Sequence, residues 1–99
     1  MKLAKVVGTV VSTRKDEKLE GLTFFLLQDL GPDMSLTSSI VVAADSVGCG
    51  VGEVVLYASG SSARQTLQTN GRPCDATVMA IIDAIDLESG DRLYDKGAE

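Results

Sequence analysis

Apolar residues fall in short blocks along this chain, and glycine, proline, aspartate and serine separate the blocks. Residues 3–13 (LAKVVGTVVST) are rich in valine and threonine and predict a first strand. Gly8 interrupts it, as a glycine does where a long strand bulges or bends at a barrel corner. Residues 14–21 (RKDEKLEG) are polar, close on glycine and predict an exposed loop. Residues 22–29 (LTFFLLQD) form an apolar run of strand length, too short for a typical helix. Gly31-Pro32-Asp33 opens a turn, because proline presets φ and the aspartate bonds to nearby backbone; residues 30–39 are read as this connection. Residues 40–45 (IVVAAD) and 54–59 (VVLYAS) predict strands three and four, with a glycine loop, residues 47–53 (VGCGVGE), between them.

The pattern then changes. Residues 60–65 (GSSARQ) break the alternation, and Ser61 or Ser62 is placed to cap a short helix running toward Thr69. Asn70-Gly71 and Pro73 mark a turn. Residues 76–87 (ATVMAIIDAIDL) contain helix-forming alanines, but Val78, Ile81, Ile82 and Ile85 are β-branched. Alternation sets Val78, Ala80, Ile82 and Ala84 on one face, which favours a fifth strand. Ser89-Gly90-Asp91 turns the chain, residues 92–94 suit a short final strand, and the last five residues are read as frayed. Five strands with glycine bends and one short helix between the fourth and fifth suit a mainly all-β fold: a small five-stranded Greek-key barrel of the oligonucleotide/oligosaccharide-binding type.

Length and composition bound this picture. Ninety-nine residues suggest one domain, and a chain this short buries little core, so self-association would add useful area. With two phenylalanines, two tyrosines and no tryptophan, the core must be aliphatic. The net charge is −5 (9 basic, 14 acidic groups), which disfavours nucleic acid and anionic membrane surfaces as partners. The charge is uneven: residues 1–20 carry five basic and three acidic groups, whereas from Asp86 onward there are five acidic and two basic ones. Such asymmetry suits either a contact between subunits or a solvated acidic tail. No secretory signal is read at the start, and no apolar run reaches membrane-spanning length.

The chemistry of catalysis finds few candidates. There is no histidine, which removes the usual general base and the commonest metal ligand. Ser61 and Ser62 lack the flanking pattern of a nucleophile elbow. Asp83 and Asp86, and Asp91 and Asp95, are spaced carboxylates with no sign of the cleft that carboxylate catalysis needs. Gly48, Gly50 and Gly52 look like a phosphate loop, but a strand rather than a helix follows, and the Gly-Lys-Ser/Thr ending is missing. Cys49 and Cys74 match no metal or disulfide framework and suit a reducing compartment. No catalytic residue, cofactor or metal is expected. Asp83, inside an apolar block, is placed for a barrel rim, an intersubunit bond or a solvent face. Arg64, in a loop poor in charge, suits either a forked interface contact or plain solvation.

Several stretches in order resemble the vertex proteins of bacterial microcompartments, the EutN/CcmL family: the opening MKLAKVVGTVVST, the Leu19–Gly21 turn into a run ending Leu27-Gln28, VAADSVGCGVGEVVLYASGSSAR over residues 42–64, and Pro73-Cys74-Asp75-Ala76 followed by VMAIID. The likeness covers residues 1–87; residues 88–99 are set apart as a tail. The chain departs from the pattern at Leu22-Thr23-Phe24-Phe25, at Ala44 and at Cys49, where a thiol beside a contact loop leaves redox or thiol chemistry open. The resemblance implies a barrel that assembles into a homopentamer capping the vertices of a polyhedral shell, in the cytoplasm, beside hexameric and pseudohexameric shell proteins, with no enzymatic activity. It also makes Gly48, Gly50, Gly52 and Glu53, with Gly60, Ser61, Ser62, Ala63 and Arg64, candidates for intersubunit or axial contacts. The competing reading is a small binding module for a ligand or protein, which calls for exposed aromatics or a basic groove.

Overall fold

A computed structural model describes residues 1–98 of the chain. Its main body is a closed barrel of five strands: β1 (Lys2–Val10), β2 (Phe24–Leu30), β3 (Leu36–Asp45), β4 (Val54–Ser59) and β5 (Ala76–Ile81), in the spatial order β1-β2-β3-β5-β4. All neighbouring pairs are antiparallel except β3 and β5, which meet in parallel through Ala44 opposite Thr77 and Asp45 opposite Val78. That short parallel pairing, at the last two residues of β3, closes the sheet on itself. The expected five-stranded barrel is present, and the register of β1 on β2 shifts between Val6 and Gly8, where the glycine signalled a bulge.

Strand alternation builds the core. Ala4, Val6, Phe25, Leu27, Ala43, Val55, Tyr57 and Val78 point inward and are buried, with Cys49 closing one end. At about 25 cal/mol per Å² of apolar area, such aliphatic burial is the main force holding so small a barrel. A second cluster of Leu22, Ala44 and Cys74, with Leu19 and Phe24 packed against it, lies outside the barrel proper. It forms because the 3-10 turn Glu17–Leu19 and the turn before β5 fold back over the outer face of β2 and β3.

Four local expectations are corrected. Strand β3 begins at Leu36 rather than Ile40, because Thr37 Oγ1 donates to the Asp29 carbonyl at 2.9 Å and Gln28 Nε2 donates to the Thr37 carbonyl. The polar run 36–39 is thereby drawn into the sheet. The helix expected toward Thr69 is only a 3-10 turn, Gly60–Arg64. Ser61 and Ser62 lie inside it and are not its caps; Ser59 occupies the cap position and makes no side-chain cap bond. The fifth apolar block is two strands, since the chain leaves β4 after Ile82 and resumes as β6 (Ala84–Asp86), which pairs antiparallel with β7 (Arg92–Asp95). Finally, Lys96–Ala98 forms a 3-10 turn where fraying was expected; Glu99, in the same expectation, lies outside the described residues.

Candidate functional site

The glycine loop between β3 and β4 is organised by one carboxylate at each end. Asp45 closes β3, and its carboxylate accepts from the backbone N–H groups of Val47 (3.1 Å), Gly48 (3.0 and 3.1 Å) and Cys49 (3.3 Å). Glu53 immediately precedes β4, and its Oε1 accepts from the Gly50 N–H at 2.6 Å. Two backbone bonds stitch the loop to β1: Gly52 N–H to the Val6 carbonyl at 2.8 Å and Val6 N–H to the Glu53 carbonyl at 2.9 Å. Gly48 and Gly52 have φ of 78° and 95°, a region that β-carbon-bearing residues rarely enter, so the tight path needs glycine at both. The donors are used inside the chain, which agrees with a built turn and not with a phosphate cradle. Val47 and Val51 remain exposed on the loop's outside.

Glu53 also holds the C-terminal segment. Its Oε2 accepts from the Lys96 ammonium, and the Lys96 N–H donates to the Asp83 carbonyl at 2.9 Å. The Lys96 bond first, and then the Gly50 amide, hold the Glu53 carboxyl below its ordinary range, and Glu53 in turn raises the Lys96 ammonium. Asp83 is exposed in the link between β5 and β6, beside this pair. The structure therefore brings Gly50, Gly52, Glu53 and Asp83 together.

It does not bring the second group of candidates to them. Gly60, Ser61, Ser62, Ala63 and Arg64 follow the far end of β4, a six-residue strand of about 20 Å. There Ala63 is fully buried, and its carbonyl accepts from the hydroxyls of Thr69 and Thr77, both at 2.7 Å. This explains why Ala76, Thr77 and Val78 are buried in succession: the 3-10 turn covers the outer face of β5 while the barrel buries the inner one. Arg64 is half-buried, and its Nη1 donates to the Cys74 carbonyl at 3.0 Å, tying this turn to the one before β5. Ser61 and Ser62 are exposed.

The thiol chemistry that Cys49 suggested meets an unfavourable setting. Both cysteines are free and buried. Burial first, and then the Asp45 carboxylate, push the Cys49 thiol up to about 12, and burial also raises Cys74.

One feature escaped the sequence pattern. On the outer face of the sheet, the register aligns Val10 with Phe24 and Ala44, and Gly8 with Leu26 and Val42. This outward row is apolar, although solvent-facing strand positions are ordinarily polar. Its lower end opens into a groove of about 520 Å³ that includes Val10, Val11, Leu22, Phe24 and Val42. The missed signal is the double apolar run in β2 and β3, where strict alternation fails.

A family model described as ethanolamine utilisation protein EutN/carboxysome matches residues 1–83. The carboxysome shell vertex protein CcmL of Nostoc sp. (strain PCC 7120) is 52% identical over 94 residues, covering 94% of this chain and 91% of that protein. The solved structure of the Nostoc CcmL superposes with a TM-score of 0.92 at 49% identity, over 97% of this chain and 100% of that one. The GrpN pentameric microcompartment shell protein from Rhodospirillum rubrum superposes with a TM-score of 0.80 at 40% identity, over 88% of this chain and 99% of that one. With this match over most of its length, and a barrel of the same shape to support it, the chain belongs to the EutN/CcmL family of microcompartment shell vertex proteins.

Proposed function

We propose that five copies of this chain form a ring that closes the vertices of a polyhedral microcompartment shell. A flat sheet of six-fold tiles cannot close, and each corner needs a five-fold piece. A ring of five identical chains uses one surface of each copy against a different surface of the next. The observation that carries the reading is the match of the whole barrel to a protein solved as a pentameric shell component. In this role the chain acts through shape and edges and performs no reaction, and hexameric shell proteins are its neighbours around the vertex.

Within the ring, Gly48–Glu53 and Gly60–Arg64 serve as contact or axial segments, and Asp83 sits on the rim beside the first of them. Their separation along β4 suits two different contact surfaces better than one shared site. Residues 1–87 form the barrel domain and residues 88–99 its C-terminal tail.

Native mass spectrometry of the purified protein near physiological salt tests the assembly. The expected dominant species has about five times the 10.4 kDa chain mass. A monomer or dimer throughout the accessible concentration range would overturn it.

A further inference from the structure

Building on the ring assigned above, we propose which two surfaces meet in it: the acidic β6–β7 hairpin of one copy seats in the basic-rimmed apolar groove at the β1–β2 end of the next copy.

The groove combines two chemistries. Its lining is mainly apolar, and Val11 and Val42 are 85% and 47% exposed, apolar surface that a contact with another chain would cover. Arg14 and Lys15 stand on its rim. Among the described residues, neither of their side chains makes an ion pair. The groove therefore suits an apolar side chain flanked by carboxylates.

The hairpin presents that combination. Leu87, in the turn between β6 and β7, is 45% exposed. Glu88 and Asp91 lie on the same turn, and neither forms an ion pair among the described residues. Asp86 and Asp95 are already engaged, both by Arg92. The uneven charge of the chain thus resolves into an unpaired basic rim and an unpaired acidic tip. Among the described residues no ion pair inside the chain neutralises either, and a neighbouring copy supplies both complements.

Placement agrees with a head-to-tail contact. Tyr94 of β7 lies in a cleft with Lys5, Gly52 and Val54, whereas the groove lies at Val10. Five residues of strand, roughly 16 Å, separate the two along β1. Each chain thus carries one groove and one hairpin on separate parts of its surface. A heterologous contact has this form, and it closes into a ring when the rotation between copies allows.

Charge exchange tests the pairing. Arg14→Glu with Lys15→Glu reverses the rim; Glu88→Lys with Asp91→Lys reverses the tip. All four positions are exposed, and far-UV circular dichroism verifies that each variant keeps the barrel. Pentamer dissociation is followed by native mass spectrometry on dilution at low salt. Each double variant is expected to move the dissociation midpoint about tenfold or more toward higher concentration. The quadruple variant, with both signs exchanged, is expected to return toward the wild-type midpoint. Leu87→Ser should weaken the ring without altering its salt response. If the wild type is pentameric and the double variants dissociate like it, or the quadruple variant recovers nothing, this pairing is wrong and the ring itself stands. If the wild type forms no pentamer, the vertex reading and the pairing fall together.

Discussion

Inside the barrel, the Tyr57 hydroxyl donates to Asp29 Oδ1 at 2.6 Å, joining β4 to β2 across the core. These strands are not neighbours in the sheet, so the bond spans the barrel instead of reinforcing a ladder. Tyr57 is buried among aliphatic residues, and the bond gives its polar end a partner. Burial, and then the Asp29 carboxylate, push the phenol up to about 12.

Tyr57→Phe removes the donor and leaves the Asp29 carboxylate less satisfied, at an expected cost of about 1–2 kcal/mol in chemical denaturation. The pH dependence has a defined sign. Because folding raises this pKa, the stabilising effect is complete below the unfolded value near 10 and is lost as pH rises toward about 12. Denaturation midpoints taken between pH 8 and 12 should fall less steeply for Tyr57→Phe than for the wild type. Equal slopes would show that the phenol is not the responsible group.

Glu53 is expected to matter more than its partner Lys96. Glu53→Ala deletes the acceptor for the Gly50 amide as well as the ion pair, a loss of about 1 kcal/mol from the amide bond alone. Lys96→Ala deletes only the half-buried ion pair and should have the smaller effect on Tm, with both variants measured at one protomer concentration. The Glu53 carboxyl is held low, so its contribution is present above the unfolded value near 4.5 and disappears as pH falls through the lower folded value. A greater loss from Lys96→Ala would contradict the arrangement.

Cys49 should be inert in the folded protein. A shift from 9.0 to about 12 lowers the thiolate fraction at pH 8 by roughly a thousandfold. Mass-spectrometric labelling with iodoacetamide at pH 8 is therefore expected to modify Cys49 only at the rate of unfolding, and promptly in denaturant. Rapid native labelling would refute the buried placement.

Arg64→Ala is expected to loosen the connection between the 3-10 turn and the segment before β5, costing about 1–2 kcal/mol through the lost bond to the Cys74 carbonyl. It should also lower the concentration stability of the ring. A variant that melts lower but stays fully pentameric on dilution would confine Arg64 to a role within its own chain.

Much of the barrel was legible locally. A valine- and threonine-rich run marked β1 and a short apolar run marked β4, Gly8 marked the bulge, and Gly31-Pro32-Asp33 marked the β2–β3 turn, where the Gly31 N–H bonds to the Ser35 carbonyl at 2.8 Å. The first half of β3 was not legible, because Leu36, Thr37, Ser38 and Ser39 have no apolar alternation and become strand only beside β2. The helical reading beyond Arg64 failed for a related reason. Thr66 and Thr69 bond to each other and to local backbone, and such competing bonds turn the chain away from a continued helix. Of the candidate contact residues, the glycine loop was readable as a turn, but its pinning by Asp45 and Glu53 was not.

By itself the sequence determined an aliphatic β-rich chain, the places where it turns, the family pattern from residue 1 into the eighties, and the separation of basic and acidic ends. These properties live in short windows, where side-chain period and turn chemistry act on neighbouring residues. Tertiary structure alone decided that β3 meets β5 in parallel, that Thr77 is buried beneath the Ala63 turn, and that Lys96 returns to Glu53. Only the closed barrel, too, set Val10, Phe24 and Val42 around one outward groove. Each of these joins residues distant along the chain, and their meeting depends on how the whole sheet closes, which no local pattern records.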